Sequence, residues 1–182
     1  LTAVVLFYFM ARLTDSRNGL LPFLVALLYV VHPLHTEVVA NIKSLDEILS
    51  LLFLLLSGLS LMRHQRNGGK KNLFFAAGYY FLALLSKESA ITFLAVFPLI
   101  MYYLPAAEKR PYGSVLTATL VPAFIYLLIR GAVLGAQKGE PYHLLLIDNS
   151  LVGAKDFMEK SASAFVLLGK YLWMQFWPHP LS

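Results

Sequence analysis

The chain has no cysteine, few charges, and no apolar run that crosses a bilayer comfortably without help from its flanks. The missing cysteine rules out disulfides and thiolate metal sites. Charged residues make up 14% and hydrophobic residues 58% of the chain, and mean hydropathy is +0.66. These values exclude a soluble domain of ordinary usage. No convincing internal repeat is present, which counts against a transporter built from repeated halves. Leu1 to Met10 carries no initiator Met, basic leader or small-residue cleavage site, so it reads as a helix entered partway rather than a signal peptide, and the chain reads as a fragment. The net charge of +5 is a topology signal and not a nucleic-acid footprint.

Against these absences stand five apolar stretches: Leu20 to Val31, Ile48 to Met62, Leu73 to Leu85, Ala90 to Leu104 and Val115 to Ile129. A hydrocarbon core of ~30 Å takes roughly 20 helical residues at ~1.5 Å each, so flanking residues must complete every span. On one side those residues are His32, His35, Glu37, Asp46, Glu47, Lys87, Glu88 and Arg130. Ionisable groups at membrane depth pair or line a watered cavity, so their expected collection on one face is a functional-site hypothesis.

The distribution of Lys and Arg sets the orientation. One set of helix ends holds Arg12, Arg17, Arg63, Arg66, Lys70, Lys71, Lys109 and Arg110 against only Asp15 and Glu108. By the positive-inside rule that side is cytoplasmic. Helices are predicted from Leu1 to Ala11 and over the five stretches, joined by an outer connection from His32 to Glu47, a cytoplasmic loop from Arg63 to Gly69, a tight hairpin at Ser86 to Ser89, and a second cytoplasmic loop from Pro105 to Gly113. Ala136 to Lys160 reads as an outer loop. Ser161 to Trp177 reads as a helix that either lies at the interface or re-enters the bilayer, with Tyr171, Trp173 and Trp177 suited to the headgroup zone. The expected organisation is a helical bundle over 1–131, an extracytoplasmic loop over 132–160 and the interfacial or re-entrant helix over 161–182.

Each polar residue of the outer face has a plain reading beside a functional one. Pro33 disfavours helical geometry at His32 and can start a new helix. His35 and Glu37 could then bind a hydroxylated ligand or a divalent cation, or simply be wet groups at a helix end. Their spacing is not a strong metal signature, so no metal site is assigned and a cation requirement stays open. Asp46 and Glu47 offset the dipole of a first helical turn that Ser44 could cap, a contribution of ~0.3 to 1 kcal/mol. Asp46 could instead orient a sugar hydroxyl, a nucleophile or a metal. Lys87 and Glu88 form a local interfacial arrangement, or Lys87 meets a phosphate at bilayer depth. Arg130 suits a helix C-terminus by the dipole alone, and its guanidinium also offers a bidentate fork to phosphate. Two cations and several carboxylates at one outer face suit an amphipathic, phospholipid-like substrate.

The segments HPLHTEVVANIKSLDEILSLLFLLLSGLSL, LALLSKESAITFLAVFPL, LLIRGAVLGAQ and YLWMQFWPHPLS resemble the membrane portion of the transmembrane and tetratricopeptide-repeat O-mannosyltransferase-like family, which has bacterial relatives. More distantly, their order is similar to the polyprenyl-phosphate-dependent C-type glycosyltransferases. The resemblance implies an all-α polytopic membrane bundle of about six or seven spans, in a bacterial inner membrane with its site facing outside the cytoplasm. It implies transfer of a hexose, mannose by analogy, from a polyprenyl phosphate carrier to a protein or other hydroxyl acceptor, with inversion.

In that resemblance Glu37 and Asp46 are supporting catalytic residues, and His35, Lys87, Glu88 and Arg130 bind substrate. Lys87 and Arg130 stand where carrier phosphate is expected. The principal base would lie upstream, in an outer loop between the family's first two spans, and a repeat region would follow the membrane part. A flippase of lipid-linked sugars and a non-catalytic membrane scaffold are the other classes consistent with charges at membrane depth. Membrane lipid and the lipid-linked donor are the expected partners, and nucleic acid is not.

Overall fold

A computed structural model describes residues 1–15, 18–32, 44–104, 112–136 and 156–176. These fold into seven α-helices: α1 (Thr2–Leu13), α2 (Leu20–Val31), α3 (Leu45–Asn67), α4 (Lys70–Ser86), α5 (Phe93–Tyr103), α6 (Tyr112–Ala136) and α7 (Phe157–Phe176), with a 3-10 turn, Glu88–Thr92, leading into α5. No strand occurs among the described residues. The chain divides into two compact units, Leu1–Leu134 and Gly135–Ser182.

Local chemistry explains where the helices stop. The Thr14 hydroxyl and amide both donate to the Met10 carbonyl, at 2.8 and 3.0 Å, closing α1 before Asp15 turns left-handed at φ 46°. Gly19, at φ 60°, supplies the left-handed residue that starts α2. Pro22 follows in the first turn, where an absent N–H costs nothing. At its other end α2 stops at His32, which is extended at ψ 126°. That is the geometry that a following proline imposes.

Helix α3 opens where expected and ends later than expected. It begins at Leu45, with Asp46 and Glu47 in its first turn, and the Ser44 side chain makes no capping hydrogen bond. It also runs through Arg63, His64, Gln65 and Arg66, predicted as loop, to Asn67. These polar residues are competent helix formers, and Gly68 at φ 68° ends the helix, with its amide donating to the His64 carbonyl at 2.8 Å. Buried His64 closes the turn through Nδ1 and the Gly69 carbonyl at 3.1 Å. Likewise α6 does not end at Ile129 but continues through Arg130 and Gly131 to Ala136. The cost of one mid-helix glycine, ~1 kcal/mol, does not terminate a helix whose next residues are Ala132, Val133 and Leu134. The helices α3 and α6, of 23 and 25 residues, are long and apolar enough to cross a membrane, whereas α1 and α2 are shorter apolar helices.

The core of the first unit is the antiparallel pair α3 and α4, turned by Gly68 and Gly69. Ser57 Oγ donates to the Ala76 carbonyl at 2.8 Å and Ser50 Oγ to the Ala83 carbonyl at 3.3 Å. The two bonds lie seven residues apart on each helix, in opposite senses, and fix the register. Small residues permit this close approach, the usual device of helix pairs that have no hydrophobic drive in lipid. Ala76 and Ala83 are fully buried. A Cβ added at Gly58 would lie 2.6 Å from Phe9 and 3.4 Å from Phe97, so α1 and α5 close on this face of α3. Tyr80 stacks edge-on against Phe97 at 5.6 Å and donates its hydroxyl to the Ala90 carbonyl at 3.3 Å, anchoring the 3-10 turn to α4. Leu28 and Val31 on α2 and Phe124 and Leu128 on α6 are among many large apolar side chains left exposed, a surface suited to lipid.

In the second unit α7 starts at Phe157 rather than Ser161. Asp156 is its cap: Oδ1 accepts from the Glu159 amide at 2.8 Å. The Asp-x-x-Glu signature at 156–159 carries that start in the sequence.

Candidate functional site

Lys87 is a single extended residue, φ −150° and ψ 131°, between the end of α4 and the 3-10 turn. Its amide still donates to the Ala83 carbonyl at 2.9 Å, and its own carbonyl accepts from Ala90 at 3.2 Å. The backbone is thus tied on both sides while the side chain leaves the α4 axis. It reaches the first turn of α3, where Nζ pairs with Glu47 and lies 3.9 Å from Asp46 Oδ2. Asp46 is held by its own helix start, Oδ1 accepting from the Glu47 amide at 2.9 Å.

The next residue faces elsewhere. Glu88 pairs with Arg130 on α6, and the same guanidinium nitrogen donates to the Tyr126 hydroxyl at 2.9 Å. Tyr126 and Arg130 are one helical turn apart, so their side chains share a face. Lys87 and Glu88 therefore do not form the local arrangement that their adjacency invites. They are two outward-directed arms, one toward α3 and one toward α6. Asp46, Glu47, Lys87, Glu88, Arg130 and Tyr126 form a string in which each cation has a carboxylate partner, built from three parts of the chain far apart in sequence.

The charged side chains in this string are between 29% exposed at Lys87 and 62% exposed at Glu88. Ion pairs this open contribute ~0 to 1 kcal/mol in water. They hold the cations in place without sequestering them, and a phosphate offering bidentate, charge-assisted hydrogen bonds competes with a single carboxylate.

Of the residues singled out in the sequence, Asp46, Lys87, Glu88 and Arg130 come together here. Arg130 is not at a helix C-terminus, because α6 continues to Ala136, and the dipole argument for its placement falls away. His35 and Glu37 lie outside the described residues. Glu47, which the sequence favoured as a dipole-compensating group, is the direct partner of Lys87. Tyr126 was missed, although its spacing of four from Arg130 on an otherwise apolar helix is the signal that points to it. Among the described residues, no three His, Cys, Asp or Glu side chains gather as a metal site would require.

No family model and no solved structure matches the chain. It is 27% identical over 180 residues to protein O-mannosyl-transferase TMTC2 of Homo sapiens, a match that covers 91% of this chain and 22% of that protein. Over 106 residues it is 36% identical to protein O-mannosyl-transferase TMTC1 of Mus musculus, covering 53% of this chain and 11% of that protein. Over 93 residues it is 39% identical to protein O-mannosyl-transferase Tmtc1 of Drosophila melanogaster, covering 50% and 11%. The chain thus spans about a fifth or less of the length of these curated relatives. Over most of its own length it is distantly similar to protein O-mannosyl-transferases.

Proposed function

We propose that the chain is membrane-embedded machinery of a glycosyltransferase that moves a hexose, mannose in the first instance, from a polyprenyl phosphate carrier to a hydroxyl of a protein or other acceptor at the extracytoplasmic face. The observation that carries this reading is the pair of neighbouring ion pairs, Lys87 with Glu47 and Arg130 with Glu88, set among apolar helices. The names of the distant relatives support the same class of chemistry.

A lipid-linked donor keeps its tail in the bilayer, so its phosphate and sugar are met where apolar helices give way to charge. In the transfer the acceptor oxygen forms a bond to the anomeric carbon as the bond from that carbon to the carrier phosphate breaks. The acceptor proton passes to a carboxylate acting as general base. Negative charge accumulates on the departing polyprenyl phosphate, and Lys87 and Arg130 stabilise it there, each exchanging a carboxylate for a phosphate oxygen. Asp46, with Glu37, orients sugar or acceptor. His35 and Glu88 complete the donor's polar surroundings.

The test is release of carrier phosphate by the native protein in nanodiscs supplied with a polyprenyl phosphate hexose. Lys87→Ala and Arg130→Ala are each expected to lower kcat/KM by about 10²-fold. Unchanged donor affinity and turnover in the double variant would remove both cations from the site. Tight donor binding without release by the native protein would move the reading to transport or scaffolding.

A further inference from the structure

A second basic cluster lies about 24 Å along α3 from the Lys87 site, counting ~1.5 Å per residue from Glu47 to Arg63. There a cavity of about 580 Å³ opens between α1, the C-terminal half of α3 and the end of α5. Its walls carry Arg12, Arg63, Arg66, Tyr8 and Asn67. Its apolar floor is Val5, Leu59, Met62 and Leu104, of which Met62 and Leu104 are buried. No carboxylate is among the described residues that line it.

The arrangement follows from helical spacing. Val5, Tyr8 and Arg12 recur every three or four residues on α1, and Leu59, Met62, Arg63 and Arg66 do so on α3, so two helix faces oppose each other across the opening. The helix dipole accounts for basic residues near the ends of α1 and α3. It does not account for two helices aiming arginines into one space whose floor is apolar. The outer string answers each cation with a carboxylate, whereas no described carboxylate lines this cavity beside Arg12 and Arg63. Its volume falls within the range of small-molecule sites. By the distribution of Lys and Arg it sits at the cytoplasmic end of the helices, where anionic headgroups attract basic side chains.

We infer that this cavity binds a phosphate-bearing headgroup: Arg12 and Arg63 fork the phosphate, and Tyr8 and Asn67 bond its ester or glycerol oxygens. The apolar floor favours a phospholipid, whose first acyl carbons lie along Leu59 and Met62. The inference rests on the membrane reading and not on the transfer reaction.

The test places the native protein in phosphatidylcholine nanodiscs doped with phosphatidylglycerol. Lipid retained after extraction is counted by native mass spectrometry, and the melting temperature is followed in parallel. One phosphatidylglycerol is expected to stay bound. Retention should fall about tenfold or more in Arg12→Gln/Arg63→Gln. It should change less than about twofold in Lys70→Gln/Lys71→Gln, which removes the same charge outside the cavity. Leu59→Trp keeps every charge and fills the space, so it should also lose the lipid, and it decides the matter if the arginine variant does not fold. Inorganic phosphate that raises the melting temperature as much as phosphatidylglycerol would assign the site to a soluble phosphate ester. Retention that survives Leu59→Trp, or that falls equally with the lysine pair, overturns the site. Loss of donor turnover would leave these readings untouched, so the two proposals fail separately.

Discussion

Tyr126 shows how one hydroxyl can order a cation without holding it. Its oxygen accepts at 2.9 Å from the same Arg130 nitrogen that pairs with Glu88. Were Glu88 displaced by phosphate, the phenol would remain as the contact fixing the arginine's direction. Tyr126→Phe is therefore expected to raise the donor KM by about threefold to tenfold, the worth of one hydrogen bond, with a smaller change in kcat. Steady-state kinetics with varied donor checks this. Equal losses in kcat and in kcat/KM would mean that Tyr126 acts on the transition state instead. At this scale the sequence was readable where charge stood out against an apolar background, as at Asp46, Lys87 and Arg130. It was silent on pairing, because Lys87 and Glu47 meet only through the packing of α3 on α4.

At the scale of elements, the interface of α3 and α4 depends on what its side chains lack. Ala76 is fully buried and its carbonyl receives Ser57. Ala76→Leu would push the helices apart and is expected to cost about 1 to 3 kcal/mol by overpacking. Ser57→Ala removes one interhelical hydrogen bond, about 0.6 kcal/mol. Denaturant unfolding in detergent should rank the two in that order, and the reverse order would mean that the hydrogen bond rather than fit sets the spacing. The helical class, the stop at His32 and the tight turn at Lys87 could all be read from apolar runs and from Pro33. Helix ends were read short where a charged residue was taken as the boundary: polar residues continue α3 from Arg63 to Asn67, and an apolar turn continues α6 beyond Arg130 to Ala136. Polarity reports solvent or membrane boundary, and hydrogen bonding is indifferent to it until a residue such as Gly68 adopts a left-handed conformation.

For the whole molecule, the lack of native cysteine makes orientation directly measurable. Lys71 in the first turn of α4 and Ser89 in the 3-10 turn that follows its last residue are exposed. With an impermeant thiol reagent on intact cells, Ser89→Cys is expected to label at once and Lys71→Cys only after permeabilisation. The opposite pattern would invert the topology and turn the Lys87 string toward the cytoplasm.

The carboxylates of the outer string give it a further property. Lys87 and Arg130 are never bare: Glu47 and Glu88 occupy the seats that a phosphate would take. If it takes the proposed donor, the site would behave as an ion exchanger, in which an incoming anion gains only the difference between two partners. Lipid phosphates are abundant in any bilayer, and this internal competition would reject those that bring no more than charge. Glu88→Gln should therefore bind simple phospholipid more tightly and discriminate less well for a sugar-bearing donor, a trade visible as stronger inhibition of carrier release by added phosphatidylglycerol.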